Sequence, residues 1–106
     1  MYEYKARVVN VVDGDTVDAV IDLGFKVATT QRLRLDRIDT PERGQPGYLE
    51  AKTFVFDMVF DKEVTLKTYK VSKWGYYLAD IFLQGKSVSD ALVSAGLAKH
   101  YDGGKK

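Results

Sequence analysis

The chain has 106 residues, of which 45% are hydrophobic and 29% charged, and its net charge is +1 at pH 7. This composition predicts one globular domain over residues 1–102, followed by a disordered tail at 103–106. The chain contains no cysteine and a single histidine, His100, which excludes disulfides, thiol nucleophiles and ordinary structural zinc sites. The nearly neutral charge argues against binding a polyanion by bulk charge, so nucleic-acid binding would need a local patch.

No apolar run approaches the roughly 20 residues of a membrane span. The first residues also lack the apolar segment of a secretory signal. We therefore expect a cytoplasmic protein with no membrane association. We also expect a monomer. A mature form of a secreted precursor, or a piece of a larger protein, stays open as an alternative.

The first third of the chain predicts a meander of three strands. A valine-rich strand at Tyr4–Val12 leads into the turn Asp13–Asp15, and Thr16–Ile21 returns. A second turn at Leu23–Phe25 leads to a third strand at Arg32–Ile38. Successive residues of a strand face opposite sides, so this pattern also predicts which side chains share a surface.

Apolar residues at helical spacing predict an amphipathic helix from about Tyr48 to Phe60. Two of its aromatic residues, Phe56 and Phe60, fall outside the apolar stripe, and we expect them to meet a second surface. A shorter helix begins near Ser87 and runs to about Ala95, where Gly96 is a natural stop.

Two further strands are predicted at Glu63–Val71 and Tyr77–Leu83. Five strands, with one helix before the fourth and another after the fifth, fit a small OB-type barrel. The predicted fold class is therefore mainly β with two short helices, an α+β domain built on a five-stranded OB-fold barrel.

The strongest chemical signal is the stretch from Arg32 to Glu42. Leu33 and Leu35 alternate with Arg34, so the arginine faces away from the core. Arg34 and Asp39 lie five positions apart, and they can converge only if the strand bends or stops between them. We expect Asp39-Thr40-Pro41 to supply that bend, because proline removes a ladder donor and restrains its predecessor.

The Asp13-Gly14-Asp15 turn becomes a candidate metal-binding segment when it is considered together with Asp39. A turn of this composition alone is usually only a hairpin, and an EF-hand fails because Val17 and Gly24 occupy ligand positions. The first and third strands of a meander can lie close together, however. Asp15 and Asp39 could then offer two carboxylates to one Ca²⁺ or Mg²⁺, with a threonine backbone carbonyl as a third oxygen.

Three motifs resemble the staphylococcal nuclease (thermonuclease-like) family. They are V-V-D-G-D-T-V at Val11–Val17, R-L-R-L-D-R-I-D-T-P-E at Arg32–Glu42, and S-V-S-D-A-L-V-S-A-G-L-A-K at Ser87–Lys99. Their order and spacing match the family over nearly the whole chain. The resemblance implies an OB barrel and a Ca²⁺-dependent nuclease that hydrolyses DNA and RNA with little sequence preference.

The resemblance also implies roles for individual residues. Asp15 and Asp39 would ligate the metal together with the Thr40 carbonyl. Glu42 would be the general base or the group that positions the attacking water. Arg34 would hold the phosphate and stabilise its charge in the transition state. By the same likeness, Ca²⁺ is expected in preference to Mg²⁺.

One position departs from the family pattern. In the segment Lys73-Trp74-Gly75-Tyr76-Tyr77, Tyr76 stands where the family has a second catalytic arginine, and a phenol offers one neutral donor in place of a charged fork. Lys73 and Trp74 match positions that grip and stack a nucleotide. Removing one preorganised donor typically slows a reaction by about 10²–10³-fold, unless a neighbouring cation such as Lys70, Lys73 or Arg43 compensates.

Alternatives stay open for the site and for the function. Arg34 can also be an ion-pair partner of Asp36, Asp13 a turn residue that supports the site, and Trp74 and Tyr76 packing residues. The leading prediction is a metal-dependent nuclease acting on DNA or RNA, most readily as a single strand. The alternative is a catalytically impaired OB-fold module that binds single-stranded nucleic acid or a protein.

Overall fold

The computed structural model describes residues 2–71 and 76–100. Eight strands and two helices lie in these two ranges. In chain order they are β1 Tyr2–Asp13, β2 Thr16–Asp22, β3 Ala28–Leu35, β4 Ile38–Asp39, α1 Tyr48–Val59, β5 Glu63–Val71, β6 Tyr77–Leu83, β7 Lys86–Ser87, α2 Val88–Ser94 and β8 Lys99–His100.

Five of the strands close into a barrel. Antiparallel pairs join β3 to β2, β2 to β1, β1 to β5 and β5 to β6, and a parallel pair between β3 and β6 closes the ring. This closed barrel with two helices is consistent with the OB-type α+β fold predicted from the sequence. A second, small sheet pairs β4 with β8 in antiparallel fashion.

Strand β1 pairs with a neighbour on each of its edges and is irregular along its length. Its first half pairs with β5 over Tyr2–Arg7, and its later part pairs with β2 as far as Asp13. The register shifts between Val8 and Asn10 and again between Val11 and Asp13. Such irregularities increase the local twist, which allows a short sheet to curl into a barrel.

One hydrophobic core fills the barrel and extends under both helices. Helix α1 contributes Ala51, Val55 and Val59, and α2 contributes Val88 and Leu92, all of them fully buried. The inward side chains of the strands complete this core, among them Val8, Val17, Leu33, Leu35, Leu66 and Ile81. The amphipathic stripe predicted for the first helix is thus confirmed, with Phe54 and Met58 half-buried at its edge.

The bend after the third strand lies earlier than the sequence suggested. The strand ends at Leu35, and Asp36-Arg37 form a turn before the short β4 at Ile38–Asp39. Arg37 adopts a left-handed backbone with φ 64°. The predicted single strand Arg32–Ile38 is therefore wrong, and the bend precedes Asp39-Thr40-Pro41.

Other predicted boundaries hold closely. The strands Glu63–Val71 and Tyr77–Leu83 are confirmed at both ends. The first helix ends one residue earlier than predicted, at Val59. The second helix begins after Ser87, whose hydroxyl accepts a hydrogen bond from the Asp90 amide, and Gly96 follows its end with φ 74°.

Phe56 and Phe60 do not pack beneath a second element. Both are exposed, and their rings stack on each other with centroids 4.3 Å apart. Neither described helix is long and apolar enough to cross a lipid bilayer. The predicted tail at 103–106 lies outside the described residues.

Candidate functional site

The Asp13–Asp15 turn is held tightly against its surroundings. A side chain at Gly14 would stand only 2.8 Å from the Ala51 Cβ and 3.1 Å from the Thr40 side chain, so only glycine allows this approach. The carbonyl of Asp15 accepts a hydrogen bond of 2.8 Å from the Leu35 amide at the end of β3. These contacts fix the turn between α1, Thr40 and the third strand.

The Asp15 carboxylate is buried, with 7% of the residue exposed. One oxygen accepts a hydrogen bond of 3.1 Å from the Thr16 hydroxyl, and the other accepts one of 3.2 Å from the Thr40 backbone amide. Ionised carboxylates need such donors when they leave water. Asp15 is therefore oriented by Thr16, the first residue of β2, and by the loop that follows β4.

Arg34 brings the two predicted metal ligands together. Its Nη2 lies 3.4 Å from Asp15 Oδ2 and 3.2 Å from Asp39 Oδ1. Its Nη1 donates to the carbonyls of Leu35 and Ile38 at 3.0 and 3.2 Å. The Asp36-Arg37 turn changes the direction of the chain, so Asp39 lies beside Arg34. In a straight strand the two side chains would face opposite sides. The predicted convergence of Asp15, Arg34 and Asp39 is present.

The ion pair considered between Arg34 and Asp36 is replaced by other contacts. Asp36 instead lies 3.6 Å from the Nε of its neighbour Arg37. The Arg34 side chain is 19% exposed, so its guanidinium is partly shielded and yet open to solvent. A half-buried guanidinium in this setting suits the binding of an anion that arrives from solution.

Thr40 and Glu42 follow β4 in the same loop. Thr40 is 4% exposed, and its hydroxyl oxygen is buried with no hydrogen-bond partner among the described residues. Glu42 is exposed. The loop places a buried threonine beside Asp15 and, two residues further on, a carboxylate in contact with water. A carboxylate that must take a proton from a water molecule requires this accessibility.

A tight turn fixes the backbone of Glu42. Its amide donates 2.8 Å to the side-chain oxygen of Gln45, and its carbonyl accepts 2.9 Å from the Gln45 amide. The Gln45 carbonyl in turn accepts from the Tyr48 amide at 3.2 Å. Gln45 thus connects the Glu42 turn to the first turn of α1. This role was not predicted from the sequence because it depends on the conformation of the loop.

Tyr48 links the same helix to the Asp13–Asp15 turn. Its hydroxyl donates 2.9 Å to Asp13 Oδ1 and lies 3.3 Å from the Val12 carbonyl. Asp13 therefore has the supporting place that the sequence suggested. The first turn of α1 holds both the turn that carries Asp15 and the loop that carries Glu42.

The predicted nucleotide-contacting segment is only partly described. Lys73 and Trp74 lie outside the described residues. Tyr76 precedes β6, and the Arg32 guanidinium carbon lies 5.9 Å from the centroid of its ring. Arg32 also forms a two-point ion pair with Asp18, with Nε–Oδ1 at 2.8 Å and Nη2–Oδ2 at 3.1 Å. Arg32 was not among the site residues predicted from the sequence, although its position two residues before Arg34 places it on the same face of β3.

A cleft of about 340 Å³ adjoins the site, because Asp39 and Thr40 line it. Pro41, Gln45 and the segment Gly96–Lys99 after α2 form its other walls. A space of this size is within the range of pockets that accept small ligands. His100, in the exposed β8 next to this segment, pairs with Ile38 in the β4–β8 ladder.

The positions of the carboxylate oxygens indicate whether the site could hold a metal ion. No three Asp, Glu, His or Cys side chains form a metal-binding group within residues 2–71 and 76–100. Oxygens of Asp15 and Asp39 nevertheless both lie within 3.4 Å of one arginine nitrogen, so they face the same small volume. Carboxylates supplemented by backbone carbonyls and water are ligands that Ca²⁺ accepts. The residues fit a hard cation held by two carboxylates, main chain and solvent.

Comparison with known proteins places the chain in a family. The model of the staphylococcal nuclease homologue family matches residues 32–106. This match covers more than half of the chain and includes Arg34, Asp39, Thr40 and Glu42. The chain belongs to the staphylococcal nuclease homologue family, as the sequence motifs predicted.

Named relatives agree with this assignment. The chain is 31% identical over 80 residues to a micrococcal nuclease of Shigella flexneri, a match covering 76% of this chain and 43% of the relative. It is 36% identical over 70 residues to the staphylococcal-like nuclease CAN1 of Arabidopsis thaliana, covering 66% and 22%. An uncharacterized endonuclease of Escherichia coli O157:H7 is 33% identical over 101 residues, covering 94% and 63%.

The chain spans less than two thirds of the length of each of these relatives.

Proposed function

We propose that this domain is a Ca²⁺-dependent phosphodiesterase that hydrolyses DNA and RNA, preferentially as single strands and with little sequence preference. The observation that carries the proposal is the convergence of Asp15 and Asp39 on the Arg34 guanidinium. A structural ion pair needs one carboxylate for one arginine. Two carboxylates around one guanidinium leave an excess of negative charge, which suits an additional cation.

Asp15, Asp39 and the Thr40 carbonyl would hold the cation. When bound there, Ca²⁺ supplies Lewis-acid polarisation of a phosphoryl oxygen and part of the charge balance of the site. The firm placement of Asp15 by the Thr16 and Thr40 donors supports this assignment, because metal ligands need partners that fix their orientation.

Arg34 would bind the phosphate to be cleaved. Its guanidinium donates charge-assisted hydrogen bonds to the non-bridging oxygens, whose charge increases as the attacking oxygen approaches phosphorus. Arg34 now contacts both carboxylates and two backbone carbonyls. With a cation held by the two carboxylates, Arg34 would be less engaged by their charge, and its outer donors would be available to the substrate phosphate.

Glu42 would activate the attacking water. The exposed carboxylate takes a proton from water as the oxygen forms its bond to phosphorus and the bond to the leaving oxygen breaks. The hydrogen bonds between Glu42 and Gln45 restrict the backbone that carries this base. Placement of the base by a fixed turn lowers the entropy that catalysis must otherwise overcome.

A second candidate function rests on Tyr76. In the family likeness this position holds an arginine, and a phenol cannot offer the same charged fork. The alternative is therefore an OB-fold module that binds single-stranded nucleic acid and cleaves it slowly or not at all. The presence of Asp15, Arg34, Asp39 and Glu42 in one region favours the enzyme, because binding alone does not require that set.

Cleavage of a single-stranded oligonucleotide with Ca²⁺, and with a chelator, tests the proposal. We expect Ca²⁺-dependent cleavage that falls about 10²–10⁴-fold in Glu42→Gln. The exposed Glu63 on β5 provides a control of equal charge change, so Glu63→Gln should cleave at the normal rate. Equal rates for the two variants would show that Glu42 is not the base. Binding without any cleavage by the unaltered protein would establish the alternative.

A further inference from the structure

A second arginine shares the exposed surface of Arg34. In β3 the residues Leu33 and Leu35 are buried at 0% and 1% exposure, so Arg32 and Arg34 both point outward on the opposite face. Residues two apart in a strand are separated by about 6.7 Å. This separation is comparable to that between consecutive phosphates of an extended nucleic-acid strand.

Arg32 is held between Asp18 of β2 and the ring of Tyr76. It lies opposite Asp18 of β2 in the strand register, and the two side chains form the two-point ion pair described above. Asp18 also accepts a hydrogen bond of 3.2 Å from Asn10 of β1. On the other side, the ring of Tyr76, the residue before β6, lies under the guanidinium. The side chains of Asn10, Asp18, Arg32 and Tyr76 therefore form a row across the barrel surface.

This row leaves the guanidinium fixed but accessible. The Arg32 side chain is 42% exposed, and the ion pair with Asp18 engages only its Nε and Nη2. A bidentate carboxylate on one edge and an aromatic ring on one face are contacts that suit arginine better than lysine. Because the side chain is already ordered, binding an anion costs less conformational entropy than it would for a free arginine.

We propose that Arg32 binds the phosphate adjacent to the one held by Arg34, with Asp18 and Tyr76 fixing its guanidinium. The ligand is a nucleic-acid strand with at least two consecutive phosphodiesters. This inference rests on the proposed function for the placement of the first phosphate at Arg34. It adds a binding residue on the substrate path and explains why an arginine and a tyrosine meet beside the site.

The salt dependence of binding tests the inference without requiring cleavage. Affinity for a single-stranded oligonucleotide is measured at several salt concentrations in Glu42→Gln protein, alone and combined with Arg32→Gln. Loss of one phosphate contact should reduce the slope of log affinity against log salt by about 0.7 and weaken binding about two- to fivefold at low salt. Arg32→Lys should keep most of the slope, because lysine still binds phosphate as a point charge.

Arg7 provides the matched control. It is also an exposed arginine in an ion pair with an aspartate, Asp61, and its side chain is 52% exposed. Arg7→Gln makes the same charge change away from β3 and should leave the slope unchanged. Equal reductions in slope for Arg32→Gln and Arg7→Gln would overturn the inference, because only the overall charge would then matter.

Turnover separates this inference from the proposed nuclease activity. With Glu42 intact, Arg32→Gln should raise KM for a trinucleotide with two phosphodiesters, leave kcat unchanged, and have no effect on a dinucleotide with one. A fall in kcat on both substrates would contradict the adjacent-phosphate role. If Arg32→Gln has an unchanged salt slope and the unaltered protein cleaves, the inference about Arg32 is overturned and the proposed nuclease activity is not. A reduced slope without any cleavage by the unaltered protein supports the inference and overturns the nuclease.

Discussion

Arg34 holds an unusual electrostatic position for a residue that is expected to bind substrate. Its guanidinium lies between Asp15 and Asp39, the same two groups that would bind a cation. A positive side chain and a divalent cation repel each other at such distances even when solvent screens them. In the absence of nucleic acid, arginine and a bound cation would therefore compete for the carboxylates.

Removing this competition should tighten metal binding. We expect Arg34→Gln to raise the Ca²⁺ affinity about tenfold without nucleic acid, as measured by calorimetry, while abolishing most of the cleavage. Arg37→Gln is the control, since Arg37 is exposed and contacts Asp36. An unchanged or weaker affinity in Arg34→Gln would mean that the carboxylates do not bind the metal beside this arginine.

The pKa of Asp18 indicates whether the Arg32 side chain is held in its ion pair. The side-chain hydrogen bonds from Arg32 hold the pKa of Asp18 below its ordinary value of 3.8, with burial opposing them and the Asn10 hydrogen bond assisting. Because the pKa is lower in the folded chain, the ion pair stabilises the fold fully above about 3.8. That contribution is lost as pH falls through the folded pKa.

Removing Arg32 should change the pKa of the Asp18 carboxyl group. In Arg32→Gln the pKa of Asp18 should rise towards 3.8, and an NMR titration of the side-chain carboxyl carbon will measure it. Arg7→Gln should leave the titration of Asp18 where it is. If the pKa of Asp18 were the same with and without Arg32, the ion pair would not persist in solution.

The residues of the site were predictable from sequence to different degrees. Asp15, Arg34 and Asp39 could be found because they lie in recognisable motifs, with strand alternation also marking Arg34, and the structure brings them together. Arg32 was missed because its importance depends on the register that sets it opposite Asp18 and beside Tyr76. Neither relation is visible in the order of residues along the chain.

At the scale of elements, the first turn of α1 organises the site. Through Tyr48 it supports the Asp13 turn, and through Gln45 it supports the Glu42 loop. The helix begins at Tyr48, and the preceding Gly47 has a left-handed backbone with φ 91° and offers no side-chain cap. The helix start is therefore fixed largely by the contacts that also hold the site.

Loss of the Tyr48 hydroxyl should affect both stability and metal binding. Tyr48→Phe removes the donor to Asp13, and we expect a destabilisation of about 1–2 kcal/mol in urea unfolding. It should also weaken Ca²⁺ binding several-fold, because the turn carrying Asp15 loosens. Tyr69→Phe is the control, since Tyr69 donates a similar bond of 2.8 Å to Asp80. A similar loss of metal affinity in both variants would argue against a specific role for Tyr48.

Most strands and both helices could be predicted from periodicity, because their apolar faces follow the 2.0- and 3.6-residue repeats. The turn at Asp36-Arg37 could not. A left-handed conformation is uncommon for residues other than glycine, asparagine and aspartate, so arginine gives no signal for it. The conformation arises from the surroundings, where the Asp36 amide donates to the Ala79 carbonyl of β6 and β4 pairs with β8.

For the whole molecule, the strand pairing that closes the barrel brings the residues of the candidate site together. The parallel pair between β3 and β6 matches Arg34 with Leu78, far apart in the sequence, and brings Tyr76 next to Arg32. OB barrels support many functions, so the fold alone did not specify this one. With a net charge of only +1, the proposed nucleic-acid binding would depend on this local arrangement of Arg32 and Arg34.

Coupling between cation and nucleic acid tests the central claim most directly. Calorimetry measures Ca²⁺ binding to Glu42→Gln protein with and without a single-stranded oligonucleotide. If Asp15, Asp39 and Arg34 form one site, the oligonucleotide should tighten Ca²⁺ binding by about 5- to 150-fold, and Ca²⁺ should tighten the oligonucleotide equally. Asp39→Asn should abolish the coupling, while Asp57→Asn on the exposed face of α1 should preserve it. Independent binding of the two ligands, or full coupling in Asp39→Asn, would contradict a shared cation and phosphate site.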